Sequence, residues 1–270
     1  MNAATTYHPE TLTAPCDTGC GNAVTRTVVR KPNGEIMGAG SWRCATCEAA
    51  AEAARHAALA ERERLADEAR LQARVDRAMK ALNVPPLYLD ASFDTWVFHG
   101  PAEAQAIQDK MREKGRAYLR KWPTVPSLVL LRGEPGTGKG HWAWSVARDV
   151  TRRGDAVTVI KCADMIRRLR ASWKSKDAES EEHVLRELRA VPLLVIDELS
   201  THAFYGDSVS QHLLDVLDHR LEWRRPTIIT TNEDVPGLQG ILRPALWDRV
   251  FASGAVLDFG TVSYRKGHKT

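Results

Sequence analysis

The 270-residue sequence has no apolar run near the ~20 residues that a membrane span requires. Its opening, MNAATTYHPETLTAPC, lacks a basic segment followed by an apolar core, so no secretory leader is expected and the chain reads as cytoplasmic. Cysteine is scarce, five in all. Four of these fall in two close pairs, Cys16/Cys20 and Cys44/Cys47, which in a reducing compartment points to metal more than to disulfides. Cys162 stands alone in an apolar setting and reads as a small buried hydrophobe. A strong charge bias is also missing: 38 Lys and Arg against 34 Asp and Glu give +4, which permits nucleic-acid contact without arguing for it.

What is present, 43% hydrophobic residues, can supply a core for one large domain and a smaller appendage. Residues 1–47 hold the paired cysteines, with β-rich stretches VTRTVVRK and GEIMG around a turn at Pro32-Asn33-Gly34, as in a small hairpin module. Residues 48–82 contain no Gly or Pro, are rich in Ala, Glu, Arg and Leu, and predict one long helix that Pro85-Pro86 stops. Residues 83–270 alternate short apolar runs with helix-length segments. The runs SLVLLRG (127–133), AVTVIKC (156–162), LLVIDEL (193–199), TIITTN (227–232) and AVLDFG (255–260) have the character of doubly covered parallel strands. The fold class predicted is therefore α/β, a three-layer sandwich with ligands at the carboxyl ends of the strands.

GEPGTGKGH, residues 133–141, follows the first of these strands and opens a helix, the context that a phosphate-binding loop requires. Gly133, Glu134, Pro135, Gly136, Thr137, Gly138, Lys139, Gly140 and His141 are the candidate nucleotide contacts. Gly136 and Gly138 let backbone N–H groups turn toward the phosphates, the helix N-terminus adds partial positive charge, and Lys139 adds a full one. The usual loop has Ser or Thr after the Lys as a Mg²⁺ ligand, where this chain has Gly140. A water can replace that ligand in a looser site, which predicts ATP turnover that is weak and slow. LLVIDEL supplies the acidic half: Asp197 to hold Mg²⁺ through water and Glu198 as general base for the attacking water. Asn232 ends the next strand beside them, as a γ-phosphate sensor or simply an Asn turn.

From YLDASFDTW (88–96) through GEPGTGKGHWAWSVA, LLVIDEL, HLLDVLDHRLEWRRPTIITTNED and LWDRV to SYR (263–265), the chain resembles a DnaC/IstB-type AAA+ ATPase over roughly its last two-thirds. The resemblance implies an AAA+ P-loop domain with the phosphate-loop strand central, ATP-dependent self-assembly, and little or no helical lid. It also makes Gly140 tolerable, since DnaC-like loaders tend to have Asn at that place. By the same resemblance Arg249 is the arginine finger given to a neighbouring subunit, with Arg243 as runner-up, and Arg265 is a second phosphate-sensing arginine.

The cysteine spacing, three residues between the first pair and two between the second, fits a tetrahedral Zn²⁺ site that would stabilise a module too small to fold on its apolar content. His8 and His56 are spare ligands at most. Some bacterial and phage loaders resembling this chain carry such a module to grip the replicative helicase, so residues 1–82 are expected to recruit it, although the long helix can equally be a spacer. Loaders of this kind bind single-stranded DNA. Arg167, Arg168, Arg170, Lys174 and Lys176 with Trp173 are one candidate contact, Phe204-Tyr205 another; a wet helix face and ordinary packing are the alternatives. Together these features predict an ATP-dependent helicase loader of phage or prophage type. The alternatives are an IstB-type transposition helper on duplex DNA and a nonhydrolysing adaptor.

Overall fold

The computed structural model describes residues 8–37, 40–98, 100–172, 180–200, 207–242, 247–248 and 254–263. It forms two compact units, Met1–Arg70 and Leu71–Thr270, which divide within one long helix.

In the first unit β1 (His8–Pro15), β2 (Ala23–Arg30) and β3 (Ile36–Met37) make an antiparallel sheet in that order. The hairpin expected around Pro32-Asn33-Gly34 joins β2 to β3: the Gly34 N–H donates to Lys31 O and the Glu35 N–H to Asn33 Oδ1, at 2.9 and 3.1 Å. β1 had no clear signal, because HPETLTAP carries prolines at its second and last positions; pairing with β2 along its whole length makes it a strand. Helix α1 (Ala45–Leu82) realises the Ala/Glu/Arg-rich segment. Its polar surface is laced by pairs such as Arg64 with Glu61 and Glu68, three and four residues apart.

The second unit is built on five parallel strands, β4 (Leu128–Arg132), β5 (Val157–Lys161), β6 (Leu193–Leu199), β7 (Thr227–Thr231) and β8 (Ala255–Asp258), in the order β5-β6-β7-β4-β8. All five apolar runs are strands. Because strands are pleated, Leu128 and Leu130 face one layer while Val129 and Leu131 face the other. On the first face lie α4 (Cys162–Ser172), α5 (Glu181–Ala190), α6 (Asp207–Glu222) and α7 (Val235–Ile241), contributing Met165, Leu188, Leu213 and Leu238. On the second lie α2 (Ala102–Lys121) and α3 (Lys139–Arg152), with Trp142 fully buried among Phe93, Tyr118 and Val146. The phosphate-loop strand β4 is interior, flanked by β7 and β8, yet only one place from the edge.

Cys162 is buried in this core, and burial pushes its thiol up to about 12, as a small hydrophobe there requires. A harder residue to accommodate is Arg220 on α6, fully buried. Its guanidinium donates to Leu188 O, Val191 O and Pro226 O at 2.9, 2.8 and 2.6 Å and to Thr227 Oγ1 at 2.9 Å. The carbonyls at the end of α5 thus gain the partners that a helix C-terminus lacks. Burial draws its pKa down to about 9, still charged at neutral pH. Arg220→Ala is expected to lower the unfolding free energy by about 3 kcal/mol, since it leaves a cavity and several buried carbonyls unpaired; urea unfolding followed by tryptophan fluorescence measures it.

Candidate nucleotide site and cysteine cluster

Parallel register brings the functional segments of the second unit to one edge. Arg132, the last residue of β4, pairs with Thr231 of β7, and Ile196 of β6 pairs with Ile229 of the same strand. The phosphate loop and the acidic pair therefore leave the sheet side by side. A cavity of about 600 Å³ lies there, lined among others by Gly136, Gly138, Lys139, Gly140, Asp197, Glu198, Thr230 and Asn232.

The loop begins at Gly133 and ends at Gly138, which caps α3 with φ +101°. Only glycine tolerates that left-handed turn without strain, and it leaves the first N–H groups of α3 without a side-chain cap, the arrangement that attracts anions. Lys139 is buried and its ammonium donates to Gly133 O and Glu134 O at 2.6 and 2.9 Å. It curls back over the loop. Thr137 is buried and its hydroxyl donates to Glu134 O at 2.9 Å. Glu134 and Pro135 are exposed on the rim. His141 lines the same cavity and packs edge-on to Trp96, with Nε2 3.1 Å from Ser92 O; burial holds its pKa below the usual value.

One residue that the sequence did not mark supports the loop from outside. Gln108 of α2, buried, donates Nε2 to Thr137 O at 2.9 Å, while its Oε1 has no hydrogen-bond partner among the described residues. Nothing in AEAQAIQDKMREKGRAYLRK distinguishes this glutamine from the polar residues around it.

The acidic pair owes its geometry to an irregularity in β6. Ile196 pairs with Ile229 and Leu199 with Thr231, so Asp197 and Glu198 together oppose Thr230 alone. Such a bulge re-aims side chains, and here Glu198 takes φ +59°, a costly conformation for a residue with a side chain. The Thr230 hydroxyl serves both members: it donates to Asp197 Oδ1 at 2.6 Å and accepts the Glu198 N–H at 2.9 Å. The exposed Glu198 carboxylate meets Lys161, at the end of β5, at 3.1 Å, and this contact raises the lysine pKa. Asn232 is exposed immediately beyond β7. The donor set, two carboxylates and a hydroxyl beside a lysine and a helix N-terminus, suits the oxygen-rich shell of a hydrated Mg²⁺ next to phosphates.

In the first unit the four cysteine sulfurs lie within 4.8 Å of one another. Tetrahedral zinc with Zn–S near ~2.3 Å places sulfurs about 3.8 Å apart, so this cluster fits such an ion. Cys20 and Cys44 sulfurs are 3.6 Å apart. The Thr18 hydroxyl and the Cys44 N–H hold the Cys16 pKa down to about 6 and the Asn22 amide lowers that of Cys44, whereas Cys47, despite its bond to Thr18, is pushed up to about 12 by the crowded Cys20 and Cys44 sulfurs. His56 lies elsewhere, paired with Glu52 one turn away on α1.

Residues 46–270 match the family of IstB-like ATP-binding proteins. The chain belongs to that family. Among curated relatives, the replicative helicase loader DnaC of Escherichia coli K12 is 28% identical over 195 residues, covering 71% of this chain and 76% of the relative. DnaC of Buchnera aphidicola subsp. Acyrthosiphon pisum is 24% identical over 196 residues, with 72% and 76% covered. The crystal structure of the DnaC helicase loader superposes with a TM-score of 0.53 at 20% identity, over 64% of this chain and 99% of that one. AMPPCP-bound DnaA from Aquifex aeolicus gives 0.53 at 16% identity, over 65% and 51%. This IstB-like, DnaC-like chain thus has the α/β fold of AAA+ P-loop ATPases. Among its described residues, no helix is long and apolar enough to cross a membrane.

The other expected site residues of this family member divide in two. Arg167 and Arg170 lie on the exposed face of α4, opposite Met165 and Leu169; Arg167 pairs with Asp164, and the half-buried Arg168 pairs with Glu187 at 2.7 Å. Trp173, Lys174, Lys176, Phe204, Tyr205, Arg243, Arg249 and Arg265 lie outside the described residues. Thr230 and Lys161 were not singled out from the sequence; the polar end of TIITTN was the one available signal for the first. Thr230→Val, which keeps the shape and removes both hydrogen bonds, is expected to slow ATP turnover about 10- to 100-fold with nucleotide affinity nearly unchanged. Phosphate release compared with equilibrium nucleotide binding measures the two separately.

Proposed function

We propose that this chain is an ATP-dependent loader of a replicative helicase. What carries the reading is the convergence of Lys139, Asp197 and Glu198 on one cavity, in a chain similar to the loader DnaC along three-quarters of that relative. ATP places its phosphates on the N–H groups from Gly136 to Gly140 and on Lys139, whose ammonium trades the Gly133 and Glu134 carbonyls for phosphate oxygens. Asp197, oriented by Thr230, would hold Mg²⁺ through water, and the chemistry such an ion would supply there is charge neutralisation on the phosphoryl group. Glu198 leaves Lys161 and accepts a proton from the attacking water. Asn232 and Arg265 sense the γ-phosphate, and Arg249, or Arg243, reaches the site of a neighbouring subunit in an ATP-dependent oligomer. Turnover is slow, as suits a switch rather than a motor.

Residues 1–47 form a zinc module on Cys16, Cys20, Cys44 and Cys47 that grips the helicase, residues 48–82 connect it, and residues 83–270 form the ATPase. Single-stranded DNA passes the exposed face of α4, at Arg167 and Arg170, and Phe204-Tyr205. The full-length protein is expected to carry one zinc per chain by elemental analysis and to capture a replicative helicase from the same cell or its phage. Cys44→Ser/Cys47→Ser should lose both the zinc and the helicase while retaining ATP binding. Helicase capture by the zinc-free variant would contradict the adaptor role; no capture by the parent chain would favour a transposition helper acting on duplex DNA.

A further inference from the structure

The loop's departure from the usual pattern, Gly140, has a specific neighbour. A Cβ built on Gly140 would fall 2.6 Å from the Tyr88 hydroxyl oxygen and 3.3 Å from Tyr88 Cζ, too close for any side chain to stand there without moving the ring. Position 140 is the one from which a Ser or Thr hydroxyl ordinarily reaches the Mg²⁺ beside the phosphates. The direction of the missing Cβ therefore marks where that hydroxyl belongs. The Tyr88 hydroxyl oxygen, 2.6 Å from that Cβ position, lies within the space that a Ser or Thr hydroxyl would sweep.

Three features hold it there. The Tyr88 ring stacks on Trp144 with centroids 5.5 Å apart and planes 17° apart, and Trp144 lies one turn after Gly140 on the same face of α3. The backbone of the short 3₁₀ turn Pro86–Tyr88 is stiffened by Pro85-Pro86, and the Tyr88 N–H donates to Pro85 O at 2.8 Å. Tyr88 lines the same cavity as Lys139, Asp197 and Glu198.

Resting on the nucleotide reading above, we infer that Tyr88 supplies from a distant point in the chain the hydroxyl that Gly140 lacks, and that glycine stands at 140 to admit it. Tyr88 is a positioning residue. Mg²⁺ keeps several of its waters in nucleotide sites, and a phenol hydrogen-bonded to that water shell would restrain the ion through water, where the Ser or Thr oxygen elsewhere ligates it directly.

The test titrates a fluorescent ATP analogue into the full-length chain, in EDTA and across a Mg²⁺ series, for the parent, Tyr88→Phe, Gly140→Ser and the double variant Tyr88→Ala/Gly140→Ser. Tyr88→Phe keeps the ring on Trp144 and removes only the oxygen. The Mg²⁺ concentration for half-maximal tightening should rise about tenfold in Tyr88→Phe, with metal-free affinity unchanged. Gly140→Ser alone should weaken binding with and without Mg²⁺, because the new side chain collides with the phenol. The double variant should recover the parental Mg²⁺ dependence. An unaltered Mg²⁺ dependence in Tyr88→Phe, or an equal loss with and without the ion, would overturn the inference and leave Tyr88 as packing. Absence of nucleotide binding by the parent under every condition would instead overturn the nucleotide reading, and the inference with it.

Discussion

The parallel hydrogen-bond ladder joining β6, β7 and β4 is the constraint from which the site follows. Side-chain period and register together leave no freedom: once Leu130 is level with Ile229 and Ile229 with Ile196, the strands end together and release the phosphate loop and the acidic pair on the same edge. Both faces of the ladder are buried, so a slip of one residue would exchange Leu128 and Leu130 with Val129 and Leu131 between two differently shaped helical layers. The core fixes the site by forbidding that slip.

Within this frame the chemistry sits where regularity is broken. The bulge at Asp197-Glu198 and the positive φ of Glu198 are unfavourable locally, and the Thr230 hydroxyl offsets part of that cost by bonding to both residues. Glu198 is thereby turned out of the sheet toward Lys161 and the cavity. A regular strand would have sent consecutive side chains to opposite faces, and the two carboxylates could not have served one cavity. The loop shows the same economy of elements: Gly138 gives the turn, Gln108 steadies Thr137 from α2, and Lys139 folds back onto the loop's own carbonyls.

Much of this was legible in the sequence because it is local. The five strands announce themselves as short apolar runs, the loop by glycine spacing between a strand and a helix, and the long helix by the absence of Gly and Pro from residues 48–82. The four cysteines suggested their cluster by spacing alone, and their sulfurs are gathered as that spacing implies. What was illegible depends on pairing across long stretches of chain. Strand order is one case, since no residue of β4 says that β7 and β8 will flank it. Tyr88 is another: the gap at Gly140 could be read, but the phenol that faces it comes from a turn before the domain's first strand. β1 and Gln108 were missed for the same reason, because their roles are given by what they meet.

On the proposed reading, the edge of the second unit binds and turns over ATP despite Gly140. Equilibrium titration of Mg²⁺-ATP into the full-length chain and into Lys139→Ala tests this most directly, with circular dichroism to establish that both are folded. Saturable binding by the parent and a loss of about 100-fold in the variant are expected, the scale of removing a charged hydrogen-bonding group from a phosphate. Equal affinity of the two, or no binding by the folded parent, would contradict that reading.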